Sequence, residues 1–86
     1  MSMKIIVIDE ECHGAIGYAM NKRAAKQFLI DTDWVSEHST RWSEEKQKWE
    51  SLEEVYGENW SEEFLNFTEE QMEDMGYYLQ EEEAYE

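Results

Sequence analysis

Proline is absent from this sequence, cysteine occurs once, at Cys12, and only seven of the 86 residues are basic. The single cysteine excludes an intrachain disulfide and is typical of a reducing, intracellular compartment. No apolar run approaches the ~20 residues that a membrane-spanning helix needs, and the first residues lack the basic segment and apolar run of a secretory signal. We therefore expect a cytoplasmic protein that does not bind membranes.

The few basic residues stand against 22 acidic ones, and the acidic excess is concentrated in the second half of the chain. Residues 41–86 hold 16 acidic and three basic side chains, whereas residues 1–40 hold six and four. Such a surface repels nucleic acid and anionic membranes, but it attracts the basic clefts in which other proteins hold DNA or RNA. We expect a basic protein partner and no direct binding to nucleic acid.

Aromatic residues accompany the acids, which argues against a disordered acidic tail. The chain holds four Trp, five Tyr and three Phe, and each of these side chains buries a large apolar area. This content predicts one folded domain over residues 1–86. Only residues 81–86 form a low-complexity tract, which we expect to fray.

The first half of the chain predicts a β-hairpin followed by a helix. Residues 4–8 are a β-branched run typical of a strand, residues 9–14 are polar and turn-like, and residues 15–20 supply a second strand. A two-stranded ribbon is marginal alone, so it needs a helix to cover it. Asn21 is a suitable N-cap for that helix. Its apolar stripe consists of Ala24, Ala25, Phe28 and Leu29.

The second half predicts helices throughout. Ser43 is read as the N-cap of a helix that ends at Gly57, and Ser61 as the cap of a short helix preceded by Trp60. The apolar residues of the first helix are Trp49, Leu52, Val55 and Tyr56.

A capping box gives the clearest local signal, since Thr68 and Gln71 have its spacing and Phe67 and Met72 have that of a hydrophobic staple. Met72, Met75 and Leu79 then continue the helical pattern. Gly76 lies within this pattern at a cost of about 1 kcal/mol relative to alanine, so a bend or an early end at Gly76 is the alternative. The predicted fold class is therefore α+β, with a short N-terminal antiparallel β-hairpin packed on three to four α-helices.

Motifs for chemistry are weak in this chain. Cys12 and His13 are adjacent, but strand neighbours point to opposite faces, and no third group orients them as a nucleophile and its base. Cys12, His13 and His38 lack the paired spacing of a zinc site. A calcium loop that began at Asp31 would need glycine where Ser36 stands, and the glycine-rich phosphate-binding motifs are absent. We predict no enzyme, no metal site and no cofactor.

The acidic residues of the last predicted helix are the best candidates for a working surface. Glu69 and Glu73 are four residues apart, as are Glu70 and Asp74, and like-charge pairs at this spacing destabilise a helix. A carboxylate row on a helix resembles the phosphate row of a nucleic-acid strand. The predicted partner-binding residues are Glu62, Glu63, Glu69, Glu70, Glu73, Asp74, Tyr77, Tyr78 and Glu81. The row would be extended by Glu44, Glu45, Glu53, Glu54 and Glu58.

Two aromatic groups are interpreted differently. Trp42, Trp49 and Tyr56 are seven residues apart, which favours one core-facing helical stripe over a ligand cage. Tyr77 and Tyr78 lie among carboxylates, where a tyrosine is suited to stack on arginine. The contribution of the cations of the first helix, Lys22, Arg23 and Lys26, stays open.

In size, acidity and lack of a catalytic motif, the chain resembles the phage-encoded acidic inhibitors of host defence nucleases, the anti-restriction and anti-CRISPR DNA mimics. The resemblance covers the composition of the whole chain and includes no shared motif, so no residue role is carried over. It implies a viral protein in the host cytoplasm that blocks the DNA- or RNA-binding groove of a nuclease, Cas effector, glycosylase or transcription protein.

The alternative is a small regulatory module or antitoxin-like partner that binds through the aromatic stripe and carries acids only at its rim. Its binding would depend on Trp42, Trp49 or Trp60 and would respond little to salt, whereas mimicry predicts salt-sensitive binding. Either protein could act as a homodimer.

Overall fold

The computed structural model describes the backbone of residues 2–85 and the side chains of residues 3–83. The five strands are β1 (Ser2–Glu10), β2 (Gly14–Ala19), β3 (Thr40–Ser43), β4 (Lys48–Ser51) and β5 (Tyr77–Tyr85). The helices are α1 (Lys22–Asp31), α2 (Leu52–Tyr56), α3 (Trp60–Leu65) and α4 (Glu69–Asp74), with a 3₁₀ turn at Gly57–Asn59. The fold is α+β, as predicted, with antiparallel pairing throughout these strands.

The predicted N-terminal hairpin is present, but it belongs to a three-stranded sheet of order β2-β1-β5. Helix α1 packs on β1 and β2. Gly17 permits this close approach, because a Cβ atom there would lie 2.6 Å from the ring of Phe28. Asn21 caps α1 as predicted, since its side chain accepts a hydrogen bond from the Ala24 amide at 2.8 Å.

The helix predicted to start at Ser43 is wrong in its first half, where the chain forms the β3–β4 hairpin. Trp42 and Trp49 are direct cross-strand partners, and their rings meet edge to face at 5.5 Å. The predicted helical stripe is therefore a strand pair that leaves Trp49 59% exposed. Ser51, and not Ser43, is the N-cap of α2, accepting from the Glu54 amide.

Gly57 ends α2 at a φ of 65°, as the sequence predicted. The prediction that Ser61 caps α3 is wrong: Trp60 is already the first helical residue, and Asn59 is the N-cap without a side-chain hydrogen bond. Helical content is thus smaller than predicted, and only α1 reaches ten residues.

The capping box of α4 is confirmed. The Thr68 amide donates to Gln71 Oε1 at 2.9 Å, and the Gln71 amide donates to Thr68 Oγ1 at 3.2 Å. Its predicted continuation to Leu79 is wrong, because α4 ends at Asp74 and Gly76 turns the chain at a φ of 90°.

Strand β5 follows that turn and pairs with β1 along its whole length. Residues 81–85 therefore form a strand where the sequence predicted a frayed tract, while Glu86 lies outside the described residues. Leu79 is opposite Ile8 in this pairing, so the apolar residue that suggested a helix packs beside the core.

One hydrophobic cluster joins both halves of the chain. Its buried members are Ile6, Ile8, Ala25, Leu29, Val35, Leu52, Phe64, Phe67, Met72 and Tyr77. Helix α1 contacts β1 and β2, and helix α4 contacts β5. Tyr18, the cross-strand partner of Val7, is 74% exposed. Among residues 2–85, no helix has both the length and the apolar character needed to cross a membrane.

Candidate functional site

Helices α3 and α4 carry five exposed carboxylates that make no ion pair with any described residue. Each lies on a six-residue helix anchored in the core by one buried side chain, Phe64 in α3 and Met72 in α4. The five are Glu62, Glu63, Glu70, Glu73 and Asp74. The fold thus exposes, on two helices that follow each other in the chain, five of the carboxylates that the sequence singled out.

The position of each acid along its helix decides whether the helix dipole stabilises or destabilises its negative charge. Glu62 and Glu63 lie in the first turn of α3 and Glu70 in that of α4, where negative charge is favourable. Glu73 and Asp74 lie at the carboxyl end of α4, where the dipole opposes them and no basic residue stands in the last turn. These two charges are therefore the least compensated on the surface.

Two of the predicted acids are neutralised within the chain. Glu69 accepts a hydrogen bond from the Lys22 ammonium, and this contact with the adjacent positive charge lowers the pKa of Glu69 and raises that of Lys22. Glu81 on β5 pairs with Lys4 at 3.1 Å. Glu69 and Glu81 thus offer less free charge to a partner than Glu73 or Asp74.

The cations of α1 have different roles. Lys26 is buried, and its ammonium donates to the carbonyl oxygens of Phe67 at 2.6 Å and Leu65 at 3.3 Å. Burial lowers its pKa, with a further contribution from the nearby charges of Lys22 and Arg23. Lys26 is thus a structural residue, Lys22 pairs with Glu69, and Arg23 is exposed.

The two tyrosines of the predicted set are separated by burial. Tyr77 is 8% exposed, and its hydroxyl donates to the Trp34 carbonyl at 3.0 Å. Burial raises its pKa, as does the negative charge of Glu10. Tyr78, the next residue on β5, is 37% exposed. We leave Tyr77 out of the candidate surface because its ring belongs to the core.

A second acidic feature lies at the start of α2. The sequence suggested Glu53 and Glu58 as extensions of the helical row, but it did not group them with Glu37. The Glu53 amide donates to the Glu37 carbonyl at 3.0 Å, and the Leu52 amide donates to the Ser39 carbonyl at 2.9 Å. These bonds hold the loop before β3 against α2. A cleft of about 420 Å³ opens beside them, lined by Glu37, Glu53, Gly57, Glu58 and Trp60.

One group of side chains next to this cleft has donor atoms close enough for a metal ion. The ligand atoms of Glu37, His38 and Glu53 lie within 4.8 Å of one another, and all three residues are exposed. This group could not be predicted from the sequence, because only the packing of the loop before β3 on α2 brings residues 37 and 53 together.

Cys12 and His13 lie in the turn between β1 and β2, and both are exposed. His13 Nδ1 contacts Glu10 Oε2 at 2.5 Å, and the same carboxylate accepts from the backbone amides of both turn residues. The hydrogen bond with His13 is the main cause that lowers the pKa of Glu10. No hydrogen bond joins the Cys12 thiol to the His13 ring within the described side chains.

Glu62, Glu63, Glu70, Glu73 and Asp74 therefore define the candidate surface, which we call the α3–α4 acidic surface. No family model matches this chain, and neither a curated protein nor a solved structure matches it.

Proposed function

We propose that this chain is a small inhibitor that mimics nucleic acid and blocks the basic DNA- or RNA-binding groove of a nuclease or another nucleic-acid-binding protein. The observation that carries the proposal is the α3–α4 acidic surface, whose five carboxylates lack an ion-pair partner among the described residues. Unpaired charges on short helices that pack against the core are available to a basic groove.

The distribution of the chain's few cations supports the same role. Lys4 pairs with Glu81, Lys22 with Glu69 and Lys46 with Glu50, and Lys26 is buried. A face selected only for solubility would intersperse lysines with its acids. Here the cations instead leave the carboxyl end of α4 with uncompensated negative charge.

The proposed mechanism is competitive. The surface is attracted to the positive groove from a distance, associates rapidly at low salt, and then occupies the phosphate positions. Bound there, it excludes the nucleic acid without any chemical step. We place this action in the cytoplasm of a bacterial host and propose a restriction or CRISPR nuclease as the partner class.

Affinity capture with a competition step tests the proposal. The full chain is immobilised and exposed to bacterial lysate at low salt, and retained proteins are eluted with a short DNA duplex or, in parallel, with a short RNA. We expect a basic nucleic-acid-binding protein that one of these two nucleic acids releases. Retained proteins that neither nucleic acid releases would contradict mimicry, since competitor and inhibitor must share one groove.

Trp49 favours the second candidate function, a protein-interaction module that binds through aromatic side chains. It is 59% exposed on the β3–β4 hairpin, although its ring packs against Trp42. Exposed tryptophan is a common anchor of protein interfaces. Loss of partner binding in Trp49→Ala, together with affinity that salt does not change, would support this candidate over nucleic-acid mimicry.

A further inference from the structure

We propose that the cleft lined by Glu37, Glu53, Glu58 and Trp60 binds the guanidinium group of an arginine side chain. The inference rests on the proposed function only for the source of this arginine, which we assign to the basic partner. The cleft itself would be a separate anchoring site at the start of α3.

The cleft has the size and fixed walls of a binding site. Its volume of about 420 Å³ falls within the range of roughly 300–1,000 Å³ typical of small-ligand pockets. The hydrogen bond between the Glu53 amide and the Glu37 carbonyl fixes two of its acidic walls. Gly57, which ends α2 at a φ of 65°, turns the chain so that Glu58 and Trp60 complete the lining.

The chemistry of the lining selects a cation. Three of the five lining residues are glutamates, and no lysine or arginine is among them. The three glutamates come from three separate segments, the loop before β3, helix α2 and the 3₁₀ turn. The Glu37 carboxylate also lies 3.5 Å from His38 Nε2. A ligand with one positive charge and several donors would satisfy them better than a neutral group.

Trp60 favours a guanidinium over other cations. It is half-buried, packs against the hydrophobic core and also lines the cleft, so the core holds its ring in place. A planar guanidinium stacks on an indole and offers carboxylates a fork of donors, whereas an ammonium is a compact and more strongly hydrated charge. The same helix continues into Glu62 and Glu63, so the cleft adjoins the α3–α4 acidic surface.

An NMR titration of the full chain with N-acetyl-arginine methylamide tests the inference at constant ionic strength. We expect saturable shifts of the Trp60 indole and of the Glu53 and Glu58 amides. The matched analogue with citrulline keeps the shape but lacks the charge, and it should bind at least about tenfold more weakly. Equal binding of the two analogues would overturn the inference.

Variants locate the site. Glu53→Gln with Glu58→Gln should weaken the arginine analogue about tenfold, whereas the control Glu44→Gln with Glu45→Gln removes the same charge from the exposed β3–β4 turn and should leave binding within about twofold. Trp60→Phe keeps a ring for the core, and it should retain the fold while weakening binding. Equal weakening by the two charge pairs would mean nonspecific attraction and would overturn the inference.

The arginine titration and the nucleic-acid competition can fail independently. If the arginine analogue fails to bind while a nucleic acid still displaces the partner, the arginine site is wrong and mimicry is supported. If the analogue binds but no nucleic acid displaces the partner, the arginine site is supported and mimicry is wrong.

Discussion

Lys26 donates its ammonium to the backbone carbonyl of Phe67 at 2.6 Å, and this buried contact ties α1 to the chain between α3 and α4. The same ammonium reaches the Leu65 carbonyl at 3.3 Å, at the carboxyl end of α3. A cation at this position is favourable for the helix dipole and provides a donor for carbonyls that lack helical partners. Lys26 therefore connects α1 both to the carboxyl end of α3 and to the segment that leads into α4.

Replacing this lysine should destabilise the fold. Lys26→Met retains most of the apolar chain but leaves the Phe67 and Leu65 carbonyls without their donor, so we expect a loss of about 1–3 kcal/mol in the free energy of unfolding. Urea titration measures it, with the exposed Arg23→Met as control, expected within about 0.5 kcal/mol of the parent protein. An unchanged midpoint for Lys26→Met would show that the contact contributes no net stability.

Gly76→Ala distinguishes the observed turn from the helix that the sequence predicted. In a continuous helix through Leu79, alanine would stabilise the chain by about 1 kcal/mol relative to glycine. At the observed φ of 90°, alanine is strained, and its Cβ would lie 3.1 Å from the Glu11 side chain. We therefore expect a destabilisation of about 1–2 kcal/mol in thermal or urea unfolding. A gain in stability would refute the turn.

Trp49→Ala should weaken the β3–β4 hairpin. The edge-to-face contact with Trp42 has a centroid separation of 5.5 Å, and such pairs contribute about 0.5–1.5 kcal/mol beyond area burial. We expect a loss of that size and a reduced tryptophan signal in near-ultraviolet circular dichroism. Trp49→Tyr retains an aromatic partner and should lose less. Helical backbone chemical shifts over residues 43–50 would contradict the hairpin.

Glu10 should make stability depend on pH in the acidic range. Its pKa is lowered from an ordinary value of 4.5, chiefly by the hydrogen bond with His13. Its contribution is therefore fully present above that value and is lost as the pH falls through the lower folded-state pKa. The difference in unfolding free energy between the parent and Glu10→Gln should shrink as the pH falls from about 5 to about 3.

Glu45→Gln is the matched control for this measurement, since Glu45 is exposed on the β3–β4 turn and makes no ion pair with a described residue. The pH dependence of its unfolding free energy shows the effect of removing one carboxylate from a chain of high negative charge, without loss of the His13 contact. A Glu10→Gln difference that grows as the pH falls below about 5 would contradict the assigned direction of the pKa.

Local hydrogen bonds were the part of the fold that the sequence predicted well. Asn21 caps α1, and Thr68 with Gln71 forms the capping box of α4, because each signal depends on residues three apart. Gly57 ends α2 for a similarly local reason, its φ of 65°.

Pairing between distant residues explains the misassigned segments. Trp42 and Trp49 are seven residues apart, a spacing that fits one face of a helix and equally a cross-strand pair around a turn. Leu79 fits the helical pattern of Met72 and Met75, yet β5 is fixed by a partner at the other end of the chain, where Ile8 lies opposite. Local spacing alone could not separate these alternatives.

Similar limits apply to the candidate site. The exposed acids of α3 and α4 could be selected from composition and helical spacing, whereas the burial of Lys26 and Tyr77 depends on tertiary packing. The cleft beside Glu37 and Glu53 was likewise inaccessible from the sequence, since only the loop before β3 packing on α2 brings these residues together.

The most direct test of nucleic-acid mimicry is the dissociation constant of the captured partner, measured at two salt concentrations. Neutralising the three unpaired carboxylates of α4 with Glu70→Gln, Glu73→Gln and Asp74→Asn should weaken binding about 10–100-fold and reduce its salt dependence. The control removes three exposed charges outside α3 and α4, with Asp33→Asn, Glu44→Gln and Glu45→Gln, and should bind within about threefold of the parent. The sequence placed Glu44 and Glu45 in the helical row, but they lie in the turn of the β3–β4 hairpin. Equal affinity of both variants and the parent would contradict the account.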